Sequence, residues 1–248
     1  MRLVCYNLEG LEEGAKVAQV ITALEADVYA VQEPGRGPWG AWRMQMLLRR
    51  TGLRRIAQCA STAILVADHV TVGPFAPRSQ VAFLNAMNRV GRTRRFAPAP
   101  ASTKRLPRVP RAWGRMRPMA RGASMATVDG IDLLVVHLPP GAQDLRHRHL
   151  DLLSDRWENR DPQLVVGDLN ERPGQPSWKR LADGGLHDMA PDTPATYPAD
   201  KPRARIDVIF GSASLRTVKA WVPDDEIVLA ASDHRPLVVE LERVEATV

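Results

Sequence analysis

Residues 164–170 read Leu-Val-Val-Gly-Asp-Leu-Asn, a short apolar run that ends in an aspartate and an asparagine. An apolar run of this length predicts a buried strand. The same arrangement recurs at Asn7, Glu33 and His137, each of which directly follows another strand-length apolar run. Because carboxylates beside strand cores are costly to bury unless they are paired or bind a metal, this pattern predicts a common site at one edge of a sheet.

Hydrophobic periodicity around this strand predicts many further strands and few helices. We expect helices at residues 12–25, 42–50, 144–157 and 177–182. We expect strands at residues 2–7, 27–32, 70–75, 123–128, 131–137, 163–167, 205–210, 215–221 and 237–241, and a hairpin at 55–67. Asp129-Gly130, between two apolar runs, is a strong hairpin signal. Strands and helices mixed in this order predict an α/β protein with two sheets packed face to face and helices outside.

Length and composition limit the class of protein. The chain has 248 residues, 44% hydrophobic and 25% charged, which excludes disorder throughout, collagen and a disulfide scaffold. Its apolar runs are too short to span a membrane, and the two cysteines, Cys5 and Cys59, are expected to be core thiols. We see no repeat or linker, and predict a single domain over residues 1–248 with an Arg/Pro-rich insertion or long loop at about 85–119. The first residues lack the pattern of a leader peptide, which favours a cytoplasmic protein, with a processed mature form as the alternative.

The net charge of +6 is unevenly distributed. Residues 69–128 contain no Asp or Glu but hold twelve basic residues. We call residues 78–121 the basic block; its basic side chains are Arg78, Arg89, Arg92, Arg94, Arg95, Lys104, Arg105, Arg108, Arg111, Arg115, Arg117 and Arg121. Such a block predicts a polyanionic partner, either nucleic acid or an anionic membrane. A compositional origin is the alternative, because arginine greatly outnumbers lysine in the whole chain.

Each polar residue at a strand end also has an ordinary structural explanation. Asp168 and Asn170 could form an Asx turn, and Asp207 could pair with Arg205 or Arg203. As a set, however, carboxylates converging at one sheet edge would form an oxygen-rich site of the kind that Mg²⁺ prefers.

Taken together and in order, six segments resemble the endonuclease/exonuclease/phosphatase superfamily. They are Tyr6-Asn7-Leu8-Glu9-Gly10, Val31-Gln32-Glu33, Val136-His137-Leu138, Gly167-Asp168-Leu169-Asn170, residues 205–210 (Arg-Ile-Asp-Val-Ile-Phe) and Ser232-Asp233-His234-Arg235-Pro236. Gly185-Leu186-His187-Asp188 and Thr196-Tyr197-Pro198 are also similar to the family. The resemblance implies a four-layer α-β-β-α sandwich of two mostly antiparallel mixed sheets. It also implies a metal-dependent hydrolase of phosphoesters, and it extends from residue 1 to about 242.

The resemblance assigns the metal site to the first two strands and to the segment before the last one. Glu33 corresponds to the principal metal ligand, and Asn7 and Glu9 to a pair that touches phosphate and metal. Asp233 corresponds to a second carboxylate at the metal site. The implied cofactor is Mg²⁺, with Mn²⁺ as an alternative.

The resemblance also implies the catalytic roles. Asp168 and Asn170 correspond to the pair that positions the attacking water and a phosphate oxygen. His234 corresponds to the catalytic histidine, as a base or as a phosphate contact, and Asp207 orients its ring. His137 corresponds to a second histidine that contacts phosphate or assists the leaving group. Its presence, together with the lack of a Tyr-Val-Pro-Asn-like segment, argues against the abasic-site endonuclease branch.

Three functions are compatible with these residues. The first is a nuclease that binds DNA or RNA through the basic block, mainly with Arg92, Arg94, Arg95, Arg105, Arg108 and Arg121. Because the block has few aromatic residues, we expect backbone contacts with little base recognition. The second is a phosphatase or phosphodiesterase acting on a phosphoinositide, phospholipid or small nucleotide. The third, a catalytically silent nucleic-acid-binding module, is disfavoured because every motif position is filled.

Overall fold

The computed structural model describes residues 1–59, 61–73, 123–141, 143–154 and 163–244. The described strands form two sheets. The six-stranded sheet contains β1 (Arg2–Asn7), β2 (Val28–Gln32), β3 (Arg54–Cys59), β4 (Thr62–Val66), β10 (Leu215–Trp221) and β11 (Leu237–Arg243). The five-stranded sheet contains β5 (Ala123–Val128), β6 (Ile131–His137), β7 (Leu164–Asp168), β8 (His187–Asp188) and β9 (Asp207–Gly211). Their orders are β10-β11-β1-β2-β4-β3 and β5-β6-β7-β9-β8.

Both sheets are mixed and mostly antiparallel, as predicted. Only the pairs β1–β2 and β6–β7 run parallel among the described strands. The described helices are α1 (Gly14–Leu24), α2 (Gly37–Thr51), α3 (Gln143–Ser154), α4 (Pro176–Asp183) and the short α5 (Glu226–Leu229). None of these helices is long and apolar enough to cross a membrane.

The alternation of β1 shows how the layers form. Leu3 and Cys5 point into the core between the sheets, where they join residues of β6, β7 and β9. Val4 and Tyr6 point the other way, into a second core that α1 and α2 cover. A third core lies under α3 and α4, on the outer face of the five-stranded sheet. Because successive side chains of a strand face opposite sides, each sheet is buried on both faces, and the predicted four-layer sandwich is confirmed.

Most predicted elements are present within a few residues of their expected ends, and the hairpin at Asp129-Gly130 is present as predicted. The predicted strand at 70–75 is wrong over its described part, where Val72 makes only one bridge, to Val128. Gly73 and Pro74 explain this, because both residues weaken a strand. Helix α2 starts five residues earlier than predicted, with Pro38 in its first turn. Proline is tolerated there because the backbone N–H groups of a first turn have no partner within the helix. Both cysteines are free and buried, as expected.

The predicted insertion at about 85–119 and every basic residue of the basic block lie outside the described residues. The single-domain interpretation therefore stays a prediction.

Gly167 brings the two central strands of the five-stranded sheet together. A Cβ atom at this position would lie 1.9 Å from the carbonyl oxygen of Val136, and its φ of +154° is rare for other residues. Only glycine fits such a close approach of two backbones. The result is that β6 and β7 end side by side, with His137 opposite Asp168.

Candidate functional site

Strand register brings the predicted residues to one edge of the sandwich. Asn7 is paired with Gln32 at the ends of the parallel strands β1 and β2, so that Glu33 follows directly beside it. In the other sheet Asp168 is paired with both His137 and Asp207. The amide Nδ2 of Asn7 lies 3.4 Å from Oδ2 of Asp168 and so joins the two sheets.

Oδ2 of Asp168 is the point on which the polar groups converge. Besides Asn7, it lies 3.5 Å from Nε2 of His137 and 4.0 Å from Nε2 of His234. The side chains of Asp168, His137 and His234 are all nearly buried. Two imidazole nitrogens and an amide therefore face one carboxylate oxygen.

A buried chain of three side chains orients His234. Nδ1 of His234 lies 2.9 Å from Oδ2 of Asp207, and the hydroxyl of Thr196 donates to the same oxygen at 2.5 Å. Because an ionised carboxylate only accepts hydrogen bonds, the proton between His234 and Asp207 belongs on Nδ1. This leaves Nε2 directed at Asp168. The ring of Tyr197 covers the imidazole at a centroid distance of 4.7 Å.

The surroundings of His234 also determine its charge. Burial lowers its pKa, but the charge and hydrogen bond of Asp207 act in the opposite direction, with smaller contributions from the charges of Asp168 and Asp233. The balance raises the pKa from 6.5 to about 9. The carboxylate neighbours therefore favour the cationic form of the imidazole.

Asp168 and Asn170 form the Asx turn that was considered as a purely structural explanation of these residues. The turn also lies at the site. The backbone amide of Asn170 donates to Oδ1 of Asp168 at 2.7 Å. Asn170 has a φ of +51°, which asparagine tolerates better than most residues. Its side-chain amide donates to the carbonyl of Leu138 at 2.9 Å, and this bond holds the turn against the end of β6. The turn leaves Oδ2 of Asp168 directed at the histidines.

Glu33 lies beside these residues and is partly exposed. Its Oε1 lies 3.8 Å from Nε2 of His137, the nitrogen that also contacts Asp168. Its backbone amide donates to Ser61, and its φ is +49°. A residue of this kind in a left-handed conformation is uncommon and is typical of a constrained site. Glu33 and Asp168 thus present two carboxylates on either side of one nitrogen.

Glu9 and Asp233 form a second acidic pair at the rim. Oε2 of Glu9 accepts a hydrogen bond from the backbone amide of Asp233 at 3.0 Å. Burial raises the pKa of Glu9, and the nearby charge of Asp233 raises it further. The Ser232 hydroxyl donates to the carbonyl of Asn7 at 2.7 Å and ties this loop to the end of β1. A cation beside the two carboxylates would relieve their repulsion.

The residues fit a divalent cation. One ligand atom each from Asp168, Asp207 and His234 lie within 4.8 Å of one another, and Oδ1 of Asp207 is buried without a hydrogen-bond partner among the described residues. Oδ2 of Asp207 and Nδ1 of His234 are already bonded to each other, however. The carboxylates of Glu33 and Asp168 offer hard oxygen donors of the kind that Mg²⁺ prefers.

All nine predicted catalytic and metal-binding residues thus lie at one edge, while the arginines predicted to bind nucleic acid fall outside the described residues. The suggested pairing of Asp207 with an arginine does not form. Arg205 instead binds Asp188 at 2.7 Å. Sequence reasoning did not assign roles to Thr196, Tyr197 and Ser232, although each belongs to a segment that resembles the family.

A buried ion pair supports the turn at Asn170 from behind. Nε of Arg146 in α3 donates to Oε1 of Glu171 at 2.6 Å, and the amide of Ser177 donates to Oε2 at 2.8 Å. The side chains of Arg146 and Glu171 are 9% and 1% exposed. Burial raises the pKa of Glu171, but the bonds from Ser177 and Arg146 outweigh it and leave the pKa below 4.5.

We expect Glu171→Gln to lower the free energy of unfolding by about 3–5 kcal/mol, because it leaves the Arg146 charge buried without its partner. Urea unfolding followed by circular dichroism measures this. The control is Asp151→Asn, which breaks the exposed pair of Asp151 with Arg180 and should cost less than about 1 kcal/mol. The loss should shrink as the pH falls through the lowered pKa of Glu171, because protonation of the wild-type carboxylate then removes the charge that the variant already lacks. Equal losses for the two variants at neutral pH would contradict the supporting role.

The face-to-face mixed sheets, with a His–Asp pair and carboxylates at one edge, define an α-β-β-α sandwich with a hydrolase-like site. The sequence model of the Endonuclease/Exonuclease/phosphatase family matches residues 4–234, and the chain belongs to this family. Members of the family are hydrolases that act on phosphoesters, and they typically depend on a divalent metal. No curated protein sequence matches the chain.

Solved structures share the fold at low sequence identity. A mannosyl-6-phosphatase from Bacteroides thetaiotaomicron is 16% identical, with a TM-score of 0.69 over 98% of this chain and 99% of that one. The human Nocturnin catalytic domain is 17% identical, with a TM-score of 0.62 over 98% and 94%. The endonuclease domain of the telomere-specific retrotransposon TRAS1 is 16% identical, with a TM-score of 0.60 over 99% of both chains. At such identities the likeness establishes the fold and not the substrate.

Proposed function

We propose that this protein is a Mg²⁺-dependent phosphodiesterase that hydrolyses nucleic acid, with Mn²⁺ as a possible substitute ion. The observation that carries the proposal is the convergence of His137, His234 and Asn7 on the Asp168 carboxylate, beside Glu33. This set contains the parts that phosphoester hydrolysis needs: a group to orient water, donors for phosphate oxygens and carboxylates for a cation.

The carboxylates of Glu33, Glu9 and Asp233 are the residues that would hold the metal. When bound, the metal supplies charge neutralisation and Lewis acidity at the phosphoryl group. The paired acidic side chains make this edge negative, and a bound cation would offset their repulsion of a phosphate.

The chain's own residues carry out the remaining steps. Asp168 accepts a hydrogen bond from the attacking water through Oδ2 and takes its proton as the water oxygen forms the new bond to phosphorus. Nε2 of His234, Nε2 of His137 and the Asn7 amide donate to the phosphate oxygens, and these bonds strengthen as charge develops. Asp207 and Thr196 prevent the imidazole of His234 from turning away. The ester bond to the leaving oxygen then breaks, that oxygen takes up a proton from solvent, and Asp168 returns the proton of the attacking water to solvent.

The basic block favours nucleic acid over other phosphodiesters. It is a run of arginines without any acidic residue, placed in the chain between the segments of Glu33 and His137. Arginines bind phosphate with paired hydrogen bonds and so suit a repeating phosphate backbone. A phosphoinositide or a small nucleotide remains the competing substrate, because the same side chains would bind its phosphates.

We expect neutralising five arginines of the block, Arg92, Arg94, Arg95, Arg105 and Arg108, to weaken binding of single- and double-stranded DNA at low salt. The log–log dependence of affinity on salt should also become shallower, by about 0.7 to 0.9 per lost phosphate contact. Fluorescence anisotropy over a salt series with metal chelated measures both quantities. The control neutralises Arg54, which lies on the edge strand β3 and already pairs with Asp68. Unchanged affinity and slope in the five-site variant would exclude the block as the binding surface.

A substrate panel tests the activity itself. Single-stranded DNA, duplex DNA, RNA, phosphoinositides and a sugar phosphate are incubated with the protein in Mg²⁺, each with an EDTA control. The proposal expects metal-dependent cleavage of nucleic acid. Phosphate release from the lipid or sugar substrates with intact nucleic acid would replace it with the competing function.

A further inference from the structure

Two exposed tryptophans lie on the first turns of α2, next to Glu33. The side chains of Trp39 and Trp42 are 77% and 58% exposed and meet edge to face at 6.4 Å. Large aromatic side chains are usually buried. Among the other large exposed hydrophobic residues of the described chain, only Tyr197, which is 37% exposed, belongs to the site, where its ring covers His234. An exposed aromatic pair at the rim of a catalytic cleft points to a ligand.

Trp39 lines a cleft that it shares with Glu33. The cleft, here called the Trp39 cleft, has a volume of about 390 Å³, and its lining also includes Arg36 and Arg43. This volume is within the range of sites that hold small ligands. Because the proposed metal ligand forms one wall, the cleft continues directly from the proposed phosphate site.

The floor of the cleft is rigid backbone. A Cβ atom on Gly40 would lie 2.3 Å from the carbonyl carbon of Gly35, so that the loop after Glu33 packs directly on α2. Nη1 of Arg43 donates to the carbonyl of Gly10 at 3.2 Å and links the helix to the end of β1. Trp39 is therefore exposed, but the backbone that carries it is held in place by these contacts. Less conformational entropy is lost when a flat ring binds to a side chain on such a backbone.

We propose that the Trp39 cleft stacks a nucleobase of a single-stranded nucleic acid next to the phosphoester held at Glu33. The large face of the Trp39 ring offers the stacking surface, and Arg36 and Arg43 offer cations for the neighbouring phosphates. The inference rests on the proposed nuclease function and revises one expectation from the sequence. The basic block has few aromatic residues, and base contacts were not expected, but the exposed aromatic residues lie on α2 instead.

A membrane surface is the other occupant that tryptophans and arginines can bind. The position of Trp39 favours the nucleobase, because its cleft is concave and adjoins the proposed metal ligand Glu33, where a phosphoester would be held. A membrane anchor would also use both tryptophans alike, whereas the stacking subsite depends on the one that lines the cleft.

The test compares two single strands of about ten nucleotides. One is oligothymidylate, and the other has the same phosphates with abasic sugars in place of the nucleosides. Binding is measured by fluorescence anisotropy in EDTA, so that no strand is cleaved. We expect the wild-type protein to prefer the thymine strand. Trp39→Ala should lose about 5- to 100-fold of affinity for that strand and keep its affinity for the abasic one.

Two variants make the comparison specific. Trp39→Phe keeps an aromatic face and should retain most of the preference for the thymine strand, and Trp42→Ala should retain it as well. Equal affinity of wild type and Trp39→Ala for the thymine strand would overturn the subsite. Equal losses on both strands would also overturn it. So would reduced sedimentation of Trp39→Ala and Trp42→Ala with phosphatidylglycerol vesicles while thymine binding is unchanged.

Failure of the stacking subsite and failure of the proposed nuclease function give different results. A preference for the thymine strand that depends on Trp39, in a protein that cleaves no nucleic acid in Mg²⁺, would overturn the nuclease and leave the subsite. Cleavage of single-stranded DNA without any such preference would overturn the subsite alone.

Discussion

His234→Ala is expected to lower the rate of phosphoester hydrolysis by about 10²- to 10⁴-fold, the range for losing a positioned proton-transfer or hydrogen-bonding side chain. The imidazole is fixed between Asp207 and Asp168 and covered by Tyr197, so that alanine removes a positioned hydrogen-bond donor. Steady-state rates on a single-stranded oligonucleotide in saturating Mg²⁺ measure the effect. The loss should fall mainly on kcat, because the contact tightens as charge develops on the phosphoryl group.

The matched control is His187→Ala. His187 is an exposed histidine in β8, away from the site edge, and its removal should leave the rate unchanged. Circular dichroism and thermal unfolding of both variants confirm that they are folded. If His234→Ala retains the wild-type rate while folded, His234 has no role in the chemistry.

Glu33→Gln is expected to weaken Mg²⁺ binding by more than about 100-fold, since even groups that only support a metal ligand cost 10- to 100-fold when changed. Glutamine keeps the size of the side chain and removes its charge, so the fold should be retained. Titration calorimetry of the metal-free protein measures affinity independently of turnover, and hydrolysis assays should show loss of the metal-dependent rate.

The control for this variant is Glu13→Gln, which alters an exposed glutamate that pairs only with Lys16 at the surface. Its Mg²⁺ affinity should equal that of the wild type. A normal Mg²⁺ affinity in Glu33→Gln would assign the ion elsewhere. The buried group of Asp168, Asp207 and His234 is then the next set of ligands to change.

The sequence predicted the site edge because strand ends are visible in it. Asn7, Glu33, His137 and Asp168 each follow an apolar run, and two parallel strand pairs bring those ends together. Alternation within β1 then separates the inner core from the outer one. The strand ends and the alternation depend on local periodicity, whereas the pairing that joins the strand ends is a contact between distant segments.

Contacts between distant loops could not be predicted in the same way. Thr196 lies in a loop without periodicity, and its hydroxyl contacts Asp207 only after the chain has folded back. Arg146 and Glu171 are 25 residues apart and pair through α3. The exposure of Trp39 could not be predicted for another reason. A tryptophan in a helix is more often a core residue, and the sequence does not show which face of the helix packs against the protein.

Cleavage of a labelled single-stranded oligonucleotide by the purified protein tests the central claim most directly. The reaction is run in Mg²⁺, with EDTA and the His234→Ala protein as blanks. We expect shortened strands in Mg²⁺, none with EDTA, and at most a trace with the His234→Ala protein. An intact strand in Mg²⁺, with phosphate released from a phosphoinositide or a sugar phosphate under the same conditions, would contradict it.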